Sequence, residues 1–183
     1  MSALATDSFP PSNPPGPSPT IDGIGYPAPD FELADADGNP YRLRDHLAPG
    51  GTVVVFFRGH WCPYCRRYLC KLQSNLPRFQ QLGAALIAIS PEPSGTSAAL
   101  VRELGLGFPV LSDADGRVIN RYGTRNGFLG GSSVLPHPSV FVLDRLGVLR
   151  FRSIDRNFKK RTTVRAIFAA LGGGRVSGVS SLA

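Results

Sequence analysis

Three cysteines fall within nine residues, at Cys62, Cys65 and Cys70. The informative unit is Trp61-Cys62-Pro63-Tyr64-Cys65, directly after Arg58-Gly59-His60. Two thiols spaced C-x-x-C suit one of two tasks, holding half of a metal site or exchanging a disulfide. Zinc asks for four ligands. Only Cys70 and His60 lie near and no second C-x-x-C exists, so no metal is expected. A purely structural disulfide across three residues constrains little chain. Redox exchange is the reading that uses the pair. Cys62 is its expected nucleophile, provided it sits where a strand hands over to a helix. There the free N–H groups and the positive end of the dipole stabilise a thiolate. Pro63 suits the first helical turn, where its missing N–H costs nothing. Cys65 follows one turn later on the same face, about 5–6 Å away at Cβ, so modest adjustment closes a disulfide. Trp61 is expected to pack over the motif and shield the sulfur. His60 either lowers the pKa of Cys62 when protonated or stands solvated. Cys70, beside Leu69 and Leu72, reads first as a small buried apolar residue and second as a spare thiol able to trade disulfides with Cys65. Tyr64 and Tyr68 line the site or merely cover the helix.

The flanking sequence supplies the strand and the helix this chemistry needs. Thr52-Val-Val-Val-Phe-Phe57 is a continuous β-branched and aromatic run, the mark of a strand buried on both faces. From Cys62 to Leu82 apolar residues recur at Leu69, Leu72, Leu76, Phe79 and Leu82, one face of a helix, with a kink expected near Pro77. Further strands are expected at 30–33, 84–90, 109–111, 139–143 and 148–152, and further helices at 97–104, 117–122 and 162–171. Residues 34–40 read as a turn, and Asp144-Arg145-Leu146-Gly147 as the turn of a terminal hairpin. Strands alternating with helices and ending in a hairpin predict an α/β fold with a mixed central sheet flanked by helices. Six of the seventeen prolines crowd residues 10–19, so 1–23 is expected to be a disordered Pro-rich tail. Residues 24–171 form the expected domain, and 172–183 a flexible Gly/Ser tail.

Composition narrows the function classes. A 183-residue chain with 42% hydrophobic residues suits one globular domain rather than a disordered or fibrous chain. No apolar run is long enough for a membrane helix. Residues 1–19 have neither a basic start nor an apolar core, so a cytoplasmic address is expected. The net charge is +7, and its densest source runs through Arg145, Arg150, Arg152, Arg156, Lys159, Lys160, Arg161 and Arg165. Without a finger, helix-turn-helix or RNP signature, this stretch argues for a solvated face over nucleic-acid binding. No dinucleotide fingerprint or P-loop is present, and Gly127, Gly130 and Gly131 lack a Lys-Ser/Thr partner. No cofactor is expected.

Three segments carry a family resemblance: Tyr26-Pro27-Ala28-Pro29-Asp30-Phe31-Glu32-Leu33 with Gly38; Phe108-Pro109-Val110-Leu111-Ser112-Asp113 with Gly116 and Tyr122-Gly123; and Pro138-Ser139-Val140-Phe141-Val142-Leu143-Asp144 with Gly147. Together with the cysteine motif they resemble the peroxiredoxin branch of the thioredoxin-fold superfamily, the alkyl hydroperoxide reductase/thiol-specific antioxidant family, over about residues 25–151. The resemblance implies a thioredoxin-like fold. It places Cys62 at the peroxidatic cysteine, Cys65 at the thioredoxin resolving cysteine and Pro138 at the thioredoxin-type cis-proline. The family's pocket Thr and Pro fall on Gly59 and Val55, and its activating Arg falls on Pro138. This chain therefore departs from the pattern at all three positions, with Arg58 or His60 as substitute donors.

Two enzymatic readings share a first step. In one, Cys62 attacks a hydroperoxide and Cys65 resolves the sulfenic acid to a disulfide, which a thioredoxin-like donor reduces. In the other, the same pair reduces a substrate disulfide with Pro138 beside the substrate chain. Whole-chain similarity favours the first, and C-P-Y-C with Pro138 favours the second. A redox-regulated binding module docking an acidic partner through the basic stretch is the non-enzymatic alternative. The oligomeric state stays open, a homodimer included.

Overall fold

A computed structural model describes residues 20–21, 23–127 and 134–172. Its strands are β1 (Glu32–Ala34), β2 (Pro40–Arg42), β3 (Thr52–Phe56), β4 (Ala85–Ser90), β5 (Val110–Ser112), β6 (Ser139–Leu143) and β7 (Leu149–Ile154). They form one sheet in the order β2-β1-β5-β4-β3-β6-β7. β3, β4 and β5 run parallel, while β6, β7, β1 and β2 pair antiparallel. The helices are α1 (Pro63–Ser74), α2 (Leu76–Gln81), α3 (Ser94–Leu104), α4 (Arg117–Arg121) and α5 (Val164–Gly172). This is the mixed α/β arrangement expected.

Every residue of β3 is buried because its two faces feed two cores, successive side chains of a strand pointing to opposite sides. Val53, Val55 and Phe57 pack with Leu69 and Leu72 of α1, Phe79 of α2, Leu100 of α3 and Ile167 of α5. Val54 and Phe56 pack on the other side with Val118 and Ile119 of α4, Tyr122 and Leu43. There Tyr122 meets Phe141 edge-on at 5.1 Å and donates its hydroxyl to Pro29 O at 2.9 Å. That bond satisfies the one polar atom a buried tyrosine carries inward. The two cysteines of the motif belong to the first core.

Two expectations change. The 62–82 helix breaks completely at Asn75, between α1 and α2, rather than bending at Pro77. Pro77, in the first turn of α2, has no N–H to give to the turn before it. The 34–40 turn is shorter than expected. Asp35 Oδ1 gathers the N–H groups of Asp37 and Asn39, and Pro40 already belongs to β2, which pairs with β1 alone. An edge strand tolerates a proline because one row of its N–H groups has no partner to lose.

Ile21 is buried and its N–H donates to Arg121 O at 2.9 Å. Residues 1–19, Asp22, residues 128–133 (with Gly130 and Gly131) and residues 173–183 lie outside the described residues, and with them most of the two expected tails. Among the described residues no helix is long and apolar enough to cross a membrane.

Candidate active site

β3 delivers the chain into a tight turn, Arg58-Gly59-His60-Trp61, and α1 starts immediately after it. Cys62 is the N-cap residue, with extended backbone (φ −87°, ψ 111°), and Pro63 opens the first turn. The Cys62 N–H donates to Gly59 O at 3.2 Å, and its carbonyl accepts the first helical bond from Arg66 N at 3.0 Å. The sulfur thus stands at the amino end of a 12-residue helix, the placement expected from sequence. Burial works against ionisation of Cys62. The Cys65 thiol, the N–H groups of Cys65 and Tyr64 and the Arg161 guanidinium outweigh it and hold the thiol below its ordinary range. Those N–H groups act on the sulfur although no full capping bond closes onto it. Cys65 is displaced the other way: burial, the neighbouring Cys62 thiol and its charge raise it, against the Arg58 N–H and Arg161. The pair is therefore polarised, with Cys62 as the sulfur that ionises first.

Three groups missed at the sequence level complete the surroundings. Arg161, on the segment between β7 and α5, donates from Nη2 to Cys65 Sγ at 3.1 Å. Phe158 meets Tyr64 edge-on at 5.9 Å. Arg58 is held between Trp61 (4.8 Å) and Phe158 (4.9 Å), and its Nε is buried without a partner. Trp61 and Phe158 are exposed, so an aromatic rim with a cation at its centre surrounds the motif. The third group is Glu92. It takes His60 Nδ1 at 2.5 Å and His60 N at 2.7 Å, so the imidazole is committed to a carboxylate and is not among the groups favouring ionisation of Cys62.

Glu92 also explains Gly59. With φ at +148°, a Cβ there would lie 2.7 Å from Trp61 Nε1 and 2.8 Å from Glu92 Oε1. The space a threonine would need is occupied, and the backbone is one that side chains avoid. Gly59→Thr is therefore expected to destabilise the fold by about 1–3 kcal/mol from backbone strain alone, read as a lowered urea midpoint at unchanged m-value. A variant as stable as wild type would show that the turn relaxes freely.

Two further residues depart from expectation. Pro138 stands where Ser139 pairs with Phe56 of β3, beside the β3–α1 turn, but its peptide bond is trans, as are all those described. The backbone around it is already engaged: His137 N donates to Thr124 O at 2.7 Å, His137 O accepts from Ser139 Oγ at 2.7 Å, and Pro138 O accepts from Asp155 N at 2.8 Å. Cys70 is exposed, not buried. The buried face of α1 is Cys65, Tyr68, Leu69 and Leu72, and five residues of helix turn Cys70 about 140° away from Cys65. Tyr68 belongs to the core, and Tyr64 is half-buried against it. Among the described residues no cluster of His, Cys, Asp and Glu has the makings of a metal site.

Known proteins resemble this arrangement along most of its length. The AhpC/TSA family pattern matches residues 24–152. Alkyl hydroperoxide reductase E of Mycobacterium tuberculosis is 33% identical over 135 residues, 73% of this chain and 86% of that one. Thiol-disulfide oxidoreductase ResA of Geobacillus thermodenitrificans is 31% identical over 132 residues, 72% of this chain and 69% of that one. The crystal structure of peroxidoxin BcpB from Mycobacterium tuberculosis superposes with a TM-score of 0.74 at 26% identity, covering 84% of this chain and 98% of its own.

Proposed function

This chain belongs to the AhpC/TSA family of the thioredoxin fold and is a thiol-dependent oxidoreductase, and from that premise we propose that it reduces hydroperoxides with Cys62 as nucleophile and Cys65 as resolving thiol. The Cys62 thiolate attacks one peroxide oxygen; the O–O bond breaks, and the departing oxygen leaves as alcohol or water after taking a proton. Cys62 becomes a sulfenic acid. Cys65 then attacks that sulfur, water leaves, and a disulfide joins the two. A thioredoxin-like dithiol of the cytoplasm returns the pair to thiols. The observation that carries this reading is the polarised pair, in which the sulfur at the start of α1 is held below its ordinary range with the second thiol against it.

Hydroperoxide is favoured over a polypeptide disulfide by two features. Cys62 is only 1% exposed, which suits a small oxidant. The backbone at His137 and Pro138 is spent on internal hydrogen bonds, which leaves little for an extended substrate chain to pair with. Arg58 is the proposed donor to the departing oxygen, since its buried Nε lacks a partner while His60 is bound to Glu92. A donor aimed at developing oxyanion charge is what the missing family Thr and Arg would have supplied. Trp61 holds Arg58 in place, Pro63 fixes the helix start, and Pro138 backs the turn. Disulfide reduction by the same two thiols is the second reading, favoured by the likeness to the thiol-disulfide oxidoreductase.

Stopped-flow oxidation of the reduced protein by hydrogen peroxide and by oxidised glutathione separates the two. Peroxide is expected to react at least about 100 times faster than with a free thiol at the same pH, given a preorganised site. Because only the thiolate attacks, the rate rises with pH and levels off; the lowered thiol of Cys62 puts that plateau below the pH where an ordinary thiol reaches it. Peroxide oxidation no faster than that of a free thiol, with rapid oxidation by the disulfide, transfers the assignment to the second reading.

A further inference from the structure

Arg161 belongs to the basic stretch that the sequence offered only as a solvated or docking face, yet it is half-buried and turned inward. Its Nη1 donates to two carbonyls of its own loop, Phe158 O at 2.7 Å and Lys160 O at 2.6 Å, and these fix the guanidinium plane. The free end, Nη2, meets Cys65 Sγ at 3.1 Å, while the Tyr68 ring lies 5.9 Å from the guanidinium carbon. No carboxylate among the described residues forms a salt bridge with it. A fixed cation thus rests on the sulfur of Cys65, a residue that is buried, as Cys62 is.

We propose that Arg161 is a catalytic residue of the reductive half-reaction: it stabilises Cys65 as the leaving thiolate and so directs the incoming reductant to Cys62. The inference rests on the reading that Cys62 and Cys65 form a disulfide. A donor thiolate attacks Cys62 Sγ, a new S–S bond forms between donor and Cys62, and the Cys62–Cys65 bond breaks with its electron pair passing to Cys65. The resulting thiolate is paired with the Arg161 guanidinium until it takes a proton. The donor's second thiol then releases Cys62, and the donor leaves oxidised. A better-stabilised leaving thiolate departs faster, and in this pocket burial alone would oppose it. Attack on Cys65 instead would expel Cys62, to which Arg161 makes no hydrogen bond. The contact thus offsets the burial that otherwise makes Cys65 the poorer leaving thiolate of this polarised pair.

The test starts from protein oxidised with diamide, and so involves no peroxide. Wild type, Arg161→Gln and Arg161→Lys are reduced with dithiothreitol in stopped flow. Separately, the mixed disulfide formed with thionitrobenzoate is located by peptide mapping. Arg161→Gln is expected to slow reduction about tenfold, the scale of one lost charge-assisted contact, with adduct appearing on Cys65 as well as Cys62. Arg161→Lys is expected to recover most of the rate, which a merely structural role for the side chain would not produce. A slowing of less than threefold, or one that lysine fails to relieve, or an adduct confined to Cys62 in all three proteins, overturns the assignment. Failure of diamide to join Cys62 and Cys65 overturns the disulfide reading itself, and this inference with it.

Discussion

Replacing Cys62 by serine lowers peroxide reduction by at least about 1,000-fold, leaving only the reaction of ordinary thiols, because loss of a nucleophile is not compensated by the rest of a site. Serine is among the residues that the N-cap position held by Cys62 prefers, so the fold is expected to persist with an unchanged urea midpoint. What disappears is the ionised sulfur. A hydroxyl at the same helix terminus stays protonated at neutral pH, and neither the Tyr64 and Cys65 N–H groups nor Arg161 can shift it far enough. The measurement is stopped-flow consumption of hydrogen peroxide under single-turnover conditions, with Cys70 present in both proteins as an internal control. Cys70 is exposed and not at a helix start, so it reports the background rate. A Cys62→Ser protein that consumes peroxide within tenfold of wild type would mean that another thiol is the nucleophile.

The contrast between Cys62 and Cys70 shows what a single sequence can and cannot announce. Three cysteines within nine residues look alike in composition. Two of them are distinguished by the strand before and the helix after, both visible as local pattern: five buried residues of β3 and the Cys65, Tyr68, Leu69, Leu72 face of α1. The third sits one residue off that face, and the neighbouring leucines that suggested burial belong to a different side of the helix. Periodicity carried to the single residue places it outward. β2 escaped notice because three residues beginning with proline and supported by one edge partner offer no periodicity to detect.

The rest of the site is non-local. Arg161 is 96 residues from Cys65 along the chain, and Glu92 is 32 from His60. Nothing in the spacing of either marks a partner; the sheet order brings them together. β4 lies parallel to β3, so the segment after it, with Glu92, emerges at the same end as the cysteine turn. β7 returns antiparallel beside β6 and releases Phe158 and Arg161 at that end as well. Ligand sites gather beyond the carboxyl ends of parallel strands for this reason. The basic stretch was legible as charge. Only the topology shows that one of its cations is committed to sulfur, and that the positions where the family keeps Thr and Arg are closed here by Trp61 and Glu92 at Gly59 and by an internally bonded turn at Pro138.

Cys65→Ser separates attack from resolution. The first oxidation is expected to proceed within about threefold of the wild-type rate, since a serine hydroxyl still donates toward the Cys62 sulfur as the Cys65 thiol does. The next step fails: no second sulfur lies against the sulfenic acid, and Cys70 is turned to the far side of α1. Multiple turnovers with a dithiol donor are therefore expected to fall by at least about 100-fold. Intact-mass measurement after one equivalent of peroxide should show a protein heavier by one oxygen, and excess peroxide should carry it to two, the sulfinic acid from which a dithiol gives no return. In wild type the same treatment stops at a species lighter by two hydrogens, because Cys65 reaches the sulfenic sulfur before a second peroxide does. The order of events follows from the polarisation of the pair. The sulfur with the lowered thiol attacks first; the one raised by burial waits, protonated and in contact, until its neighbour has become an electrophile. A Cys65→Ser protein that sustains wild-type turnover would show that resolution comes from outside the chain, and the C-x-x-C spacing would then serve only to tune Cys62.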